Sequence, residues 1–322
     1  MPPRTRRLLA ALAFALPALA LAQSFPSKPV KITLGLPAGS GPDAIARLIA
    51  DRLSKDWDRA VIVENRPGGS GVIAMEAVKR APADGYELIL ADGGDLAINR
   101  HAFRKLPYDP TKDFEPVVLV FRATFFLIVP ANSPFQSVGE LIAYAKANPG
   151  KLSYGSFGVA HTTRLTMESF LDAAGIELTH VPFRDAGQLI AAASNGDVQL
   201  IMNSAATARP GLETGRLRLL AVASRTRLPS HPNVPTIAES GGPDTEAIVW
   251  VGLAGPRGLP KEAVAKINAG VRKALEDKAI QERLAIAGLV PAGGTPEDFA
   301  AFIRAEDERY GKLVKALKIQ LD

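Results

Sequence analysis

Short apolar runs rich in β-branched residues alternate along this chain with stretches of helical period. Val30–Leu36 predicts a strand. Ile45, Leu48, Ile49 and Leu53 then fall on one face of a helix over Pro42–Leu53, with Pro42 suited to its first position and Asp43 to its positive end. Ala60–Val63 predicts a strand, Val72–Arg80 a helix and Glu87–Ala91 a strand. That βαβαβ order argues for a parallel sheet covered by helices on both faces. A second cycle starts near Phe125, with strands at Phe125–Val129, Leu152–Gly155, Leu178–Val181, Val198–Met202 and Leu217–Ala223. Ser137-Val138-Gly139-Glu140 reads as a capping box that opens a helix, and a further helix is expected from Thr162 to Ala174. Ile248–Ala254 predicts one more buried strand, followed by helices over Pro260–Asp277 and Pro296–Leu317, the latter capped by Thr295. No internal sequence repeat is visible. Two similar βα series predict two α/β lobes, with the chain crossing near Val117–Phe126 and returning near Thr245–Leu253.

The first 22 residues break this pattern. Arg4, Arg6 and Arg7 precede an uncharged apolar run from Leu8 to Leu21, which ends on Ala20-Leu21-Ala22. A basic region, an apolar region and an A-x-A site make a secretory signal. The run is short for a membrane span, which needs about 20 apolar residues. The mature chain is expected to begin at Gln23 and to work outside the cytoplasm. Taking away the three leader arginines lowers the net charge from +5 to +2, and no block of five like charges remains. Charge therefore gives no case for nucleic acid or an anionic membrane as partner. There are no cysteines, which removes disulfides, thiolate metal sites and cysteine nucleophiles.

Gly39-Ser40-Gly41-Pro42-Asp43-Ala44 follows the first strand and opens the first helix. It fits the dinucleotide pattern G-x-G-x-x-G/A, and Glu64 ends the second strand at a ribose-binding distance. Export removes the nucleotide supply, and Pro42 sits where the phosphate-facing turn begins. The physics beneath the pattern is broader: small residues bare backbone N–H groups, and a helix N-terminus attracts any carboxylate. A bare turn without a ligand is the plainer alternative. Gly155-Ser156-Phe157-Gly158 repeats the arrangement in the second series, with His161, Thr162 and Thr163 opening the next helix. Two such loops, one per lobe, describe a ligand cleft between domains.

Here the chain resembles the Bug family, periplasmic receptors of tripartite tricarboxylate transporters. The likeness is carried by Val61-Ile62-Val63-Glu64-Asn65-Arg66-Pro67-Gly68, Ala81-Pro82-Ala83-Asp84-Gly85-Tyr86 and Leu106-Pro107-Tyr108-Asp109-Pro110-Thr111-Lys112-Asp113-Phe114. It continues through Ala147-Asn148-Pro149-Gly150-Lys151-Leu152, His180-Val181-Pro182-Phe183, Val234-Pro235-Thr236-Ile237-Ala238-Glu239 and Gly293-Gly294-Thr295-Pro296-Glu297. The ordered set spans the mature chain. The resemblance implies a two-lobe periplasmic binding protein of the Venus flytrap type, type II-like, with two chain crossings. It implies lobe 1 over 23–122 plus 249–322 and lobe 2 over 123–248. Expected partners are a small carboxylate-type or amino- or amide-bearing solute and two transporter membrane subunits, or a signalling protein if the chain is a sensor. A monomer is expected, with no cofactor and no metal.

The departures concern the pocket. The family's first loop usually reads P-F-A-P-G-G-G-T-D; here it is Gly35-Leu36-Pro37-Ala38-Gly39-Ser40-Gly41-Pro42-Asp43. Asp92-Gly93-Gly94-Asp95 stands where serine and threonine are usual, Asp185 where glycine is, Asn203 where aspartate is, and His161 where a small hydroxyl is. The expected ligand-facing set is therefore Leu36, Ala38, Gly39, Ser40, Gly41, Asp43, Asp92, Gly93, Asp95, Ser156, Phe157, Gly158, His161, Thr162, Asp185 and Asn203. If Asp92, Asp95 and Asp185 all faced the cleft they would repel a dianion. Each like-charge pair about 5 Å apart costs about 3 kcal/mol at an effective dielectric near 20. The plainer alternative is that these acids cap helices and turns. The four histidines show no zinc spacing, and Gly69-Ser70-Gly71-Val72 fails the G-x-S-x-G elbow. A binding protein is expected, not an enzyme; an exported hydrolase is the alternative from another class.

Overall fold

The computed structural model describes residues 25–36, 38–158 and 161–321. The expected leader and its cleavage site lie outside them, as does Pro37. The first series runs β1 (Val30–Leu34), α1 (Gly41–Trp57), β2 (Val61–Asn65), α2 (Val72–Lys79) and β3 (Glu87–Asp92). A wide helical turn at Gly94–Ile98 leads through α3 (Asn99–Ala102) to β4 (Phe114–Thr124). The second series is β5 (Phe126–Pro130), α4 (Val138–Ala147), β6 (Ser153–Ser156), α5 (Thr162–Ala174), β7 (Thr179–Pro182), α6 (Ala186–Asn195), β8 (Leu200–Asn203), α7 (Ala205–Glu213) and β9 (Leu217–Val222). The chain closes with β10 (Ile248–Pro256), α8 (Lys261–Leu275), α9 (Lys278–Ile286), β11 (Leu289–Gly293) and α10 (Pro296–Ala316).

Two sheets result, ordered β11-β4-β10-β3-β1-β2 and β7-β6-β8-β5-β9. β1 runs parallel to β2 and β3, and β6 parallel to β7 and β8. Each sheet carries one antiparallel strand beside its third parallel strand, β10 in the first and β5 in the second. Five strands thus follow the same order in both lobes without sequence repetition, and β11 extends the first sheet alone. Alternate residues of β3 feed opposite faces: Leu88 and Leu90 join one apolar core, Ile89 and Ala91 the other. In β5, Leu127 and Val129 face one core while Phe126 and Ile128 face the second. Burial on both faces is why these strands read as unbroken apolar runs.

The chain passes between the sheets at Thr124–Phe126 and returns through Ala247 and Ile248. The crossing segments are bonded to each other: the Phe125 N–H donates to the Ala247 carbonyl at 2.9 Å, and the Phe125 carbonyl accepts from the Ala223 N–H at 2.9 Å. Away from this waist, Leu165 of α5 is fully buried in a core cluster of the first lobe. The α5 helix thereby rests on the lobe it does not belong to.

Several expectations shift. β1 stops at Leu34, so Leu36 lies in the loop. The expected crossing stretch from Val117 begins inside β4, an 11-residue strand of the first sheet, which the chain leaves only after Thr124. The α6, α7, α9 and β11 elements had no clear signal: Pro210 lies inside α7, and β11 holds Pro291 on a sheet edge. At α4 the Ser137 side chain accepts from Glu140 N–H, but Glu140 reaches Gln136 N–H instead, leaving the box half closed. Thr295 and Asp298 complete a full box at α10.

Candidate functional site

The loop from β1 to α1 is shaped by an inward carboxylate. Asp43 Oδ2 accepts the Gly39 N–H at 2.9 Å, and Oδ1 accepts Asn65 Nδ2 at 2.9 Å and Arg47 at 3.0 Å. Burial works to raise the pKa of Asp43, but the bonds from Arg47, Gly39 and Asn65 outweigh it and hold it low. Asn65 also donates to the Leu36 carbonyl at 3.1 Å. Asp43 therefore belongs to the scaffold and not to the expected ligand set: three donors already occupy it. Above it, a Cβ built on Gly39 or on Gly41 meets nothing within 4 Å. Gly39 needs its glycine for a φ of +79°, whereas Gly41 has no such requirement. Ser40 precedes the helix without capping it, and its Oγ is buried with no partner. Ala38 is exposed.

The acidic turn after β3 divides into two roles. Asp92 Oδ1 accepts the N–H groups of Gly94 (2.7 Å) and Asp95 (3.2 Å), closing the turn. Asp95 is buried beneath it, with Oδ1 lying where a Gly71 Cβ would stand. Burial first, then the charge of Asp92, push the Asp95 pKa well above the usual range, against the pull of the Asp92 N–H. The Tyr108 hydroxyl donates to the Asp95 carbonyl at 2.8 Å, and Asn99 Nδ2 donates to the Ser70 carbonyl at 2.9 Å. Asp95 is thus an underpinning and no ligand group. Gly93 abuts the Trp250 indole, at 3.2 Å from a Cβ to Nε1, so its missing side chain serves packing and not a cleft wall.

In the second lobe, the Ser156 hydroxyl is used internally, lying 3.0 Å from the Gly158 carbonyl and 2.7 Å from His180 Nε2. Thr163 Oγ1 accepts the Phe157 N–H at 3.1 Å. The sequence placed Ser156 and Phe157 in the ligand set, but these polar groups already have partners. His161 caps α5, its Nδ1 accepting the Thr163 N–H at 3.2 Å, with its ring edge-on to Phe157 at 5.3 Å. Burial lowers its pKa, against the charge of Asp92 from the other lobe. Thr162 Oγ1 and Asn203 Nδ2 are buried and unpartnered, while Asn203 Oδ1 accepts the Ser204 N–H at 2.8 Å. A Cβ on Gly158, whose φ is +104°, meets open space. Asp185 caps α6, its Oδ1 accepting the Gln188 N–H at 2.9 Å.

Among the described residues five buried side-chain polar atoms lack a partner, on Ser40, Asn99, Thr162, Asn203 and Tyr310; those of Ser40, Thr162 and Asn203 stand at strand-to-helix turns, beside open glycine positions at 39, 41 and 158. Sequence reasoning missed Arg47, Thr163 and His180 as the residues that hold these loops. Asn65 appeared only as part of a resembling segment. Among the described residues no group of three His, Cys, Asp or Glu is placed to hold a metal.

Comparison with known proteins places the chain in a family. A family model, "Tripartite tricarboxylate transporter family receptor" (TctC), matches residues 45–319. The "UPF0065 protein in tcbD-tcbE intergenic region" of Pseudomonas sp. (strain P51) is 35% identical over 314 residues, covering 96% of this chain and 93% of that one. The structure of R. palustris Rpa4515 with adipate is 36% identical, covers 92% of this chain and 100% of that one, and superposes with a TM-score of 0.87. MatC (Rpa3494) from Rhodopseudomonas palustris, with bound malate, is 29% identical, covers 90% and 100%, and gives a TM-score of 0.82.

Proposed function

We propose, since the chain belongs to the family of tripartite tricarboxylate transporter receptors, that it captures a small organic carboxylate between its lobes in the periplasm and delivers it to the membrane subunits of such a transporter. One observation carries this reading. Ser40 Oγ from the first lobe and Thr162 Oγ1 and Asn203 Nδ2 from the second are buried without partners, all in loops or ends that follow parallel strands. An unsatisfied buried polar atom costs about 1–3 kcal/mol, so a solute that pairs with several of them recovers that cost. The N-termini of α1 and α5 carry the positive ends of their helix dipoles and suit a carboxylate, although Pro42 brings no N–H and the Thr163 N–H is already taken by His161. The adipate and malate bound by the two similar structures support a carboxylate as the solute class.

Closure follows from the waist. Lobe 1 (23–122 plus 249–322) and lobe 2 (123–248) turn about the crossing strands, and a solute touching both favours the closed form. Export requires the leader to be cut after Ala22, and N-terminal sequencing of periplasmic protein is expected to begin at Gln23. The proposal is tested by thermal shift against adipate, malate and their homologues. A solute at 100 times its Kd adds about 2.7 kcal/mol. Stoichiometric binding without turnover is expected; no shift with any carboxylate would reject the reading.

A further inference from the structure

This inference rests on the carboxylate-receptor reading and concerns what holds the second-lobe loop in shape for the solute. Gly158 lies at φ +104° and a Cβ there meets open space, so no side chain of its own fixes the loop. Neighbouring groups do. The Phe157 N–H donates to Thr163 Oγ1 at 3.1 Å, and the Ser156 carbonyl accepts the Phe183 N–H at 2.8 Å. The Gly158 carbonyl accepts the Ser156 hydroxyl at 3.0 Å. Ser156 is fully buried and has one hydroxyl proton to give. A carbonyl can only accept, so that proton goes to Gly158. The other contact of Ser156 Oγ, His180 Nε2 at 2.7 Å, is then the donor. Burial, then the charge of Arg164, lower the His180 pKa to about 4 against the pull of Glu168, so at neutral pH the ring carries a single proton. That proton sits on Nε2. The aim of the ring is fixed from β6 and α5. Tyr154 is the register partner of His180, and their rings lie 5.0 Å apart with planes at 30°. The Tyr154 hydroxyl in turn donates to Glu168 Oε1 of α5 at 2.6 Å.

We propose that His180 is a positioning residue for solute capture: its Nε2–H holds Ser156 Oγ, Ser156 holds the Gly158 carbonyl, and this chain of two bonds keeps that carbonyl drawn inward. His180 touches no solute itself. The direction of the chain matters for an anion. A loop carbonyl left facing the cleft would set its partial negative charge against a carboxylate. Glycine at positive φ has no side chain to prevent that rotation. Just beyond Gly158, α5 opens at Thr162, whose Oγ1 is buried and unpartnered. With the carbonyl turned in, the solute meets this hydroxyl and the positive end of the helix dipole without an opposing oxygen. The Ser156 hydroxyl, spent on the loop, serves affinity by holding the loop and makes no bond to the solute.

The test is calorimetric titration at pH 7.5 with adipate, malate and their homologues, followed with the compound that the wild type binds most tightly. Ser156→Ala, and His180→Phe, which keeps a ring against Tyr154, are each expected to weaken binding at least 10-fold, roughly 1.4 kcal/mol. His180→Gln restores an N–H donor and is expected to bind within about 3-fold of wild type. The double variant Ser156→Ala/His180→Phe is expected to bind no more weakly than Ser156→Ala alone, because both changes break one chain. Imidazole nitrogen NMR spectra are expected to show His180 protonated at Nε2, its signal assigned by its loss in His180→Gln. Unchanged affinity in Ser156→Ala or His180→Phe overturns the inference and leaves the receptor reading intact. So do equal weakening by His180→Gln and His180→Phe, additive losses in the double variant, or a ring proton on Nδ1. Ser156→Ala decides alone if the ring variant does not fold. Failure of all these carboxylates to bind the wild type overturns the receptor reading and this inference with it.

Discussion

Gly39 and Gly41 are two residues apart and identical in the sequence, yet they serve different ends. Gly39 adopts φ +79°, where an L side chain is strained by about 1–2 kcal/mol, while Gly41 could carry a Cβ into open space. Gly41→Ala is therefore expected to leave folding stability within about 0.5 kcal/mol of wild type while weakening solute binding at least 10-fold. Gly39→Ala is expected to lower both. Urea melts and calorimetry read the two effects, and unchanged binding in Gly41→Ala would remove the loop from the site. The acids are equally indistinct by letter. Asp92, Asp95 and Asp185 stand at or just beyond strand ends, and Asp43 in the first turn of α1. The Arg47 pair of Asp43 and the Gln188 cap of Asp185 are local spacings, but the hold of Asn65 on Asp43 and of Gly71 on Asp95 comes from distant segments that no local pattern connects to them. Asp95 gives a sign that can be checked. Its folded pKa is raised, so above the unfolded value near 4 the native state holds a proton that the unfolded chain releases, and stability falls as pH rises. Asp95→Asn is expected to stabilise the protein more at pH 8 than at pH 5. Equal effects at both would contradict a buried neutral acid.

Elements were legible where period and caps agreed. The α5 span Thr162–Ala174 coincides with the expected helix, and α10 starts at Pro296 behind its Thr295 cap. Thr295→Ala is expected to cost about 1 kcal/mol in urea melts, the usual loss for an N-cap hydroxyl. Elements were illegible where the signal lay between segments. β4 reads as apolar but gains its role from pairing with β10 more than 120 residues away in sequence, far beyond what a local pattern can reveal. β11 is short and mostly exposed, so no alternation marks it. The link between β6 and β7 was also unseen. His180 bonds Ser156 across them, and its pKa is lowered to about 4 by burial and by the charge of Arg164, against Glu168. As pH falls, the unfolded chain takes up this proton near 6.5 and the native state only near 4, so stability drops across that window. His180→Gln is expected to flatten that part of the stability–pH curve. An unaltered slope would show that His180 does not titrate this way.

At the scale of the whole molecule, two sheets of matching strand order are joined by two hydrogen-bonded crossings. The sequence announced two βα series and therefore two lobes. It could not announce that α5 would bury Leu165 in the opposite lobe, because that contact depends on how the lobes meet. The same geometry gives each lobe a loop with open glycine positions and unpaired polar atoms. A solute held by one lobe alone would satisfy only part of this set. Solute binding is accordingly expected to reduce the radius of gyration in solution scattering, since contact with both lobes favours closure. The most direct test of two-lobe capture is amide hydrogen exchange read by mass spectrometry, with and without a saturating carboxylate that binds in the thermal-shift panel. Protection of both 38–44 and 157–166 at once, with little change on the outer faces of β2 and β7, is the result this account predicts. Protection of only one of these loops, or of neither while the solute is bound, would contradict it.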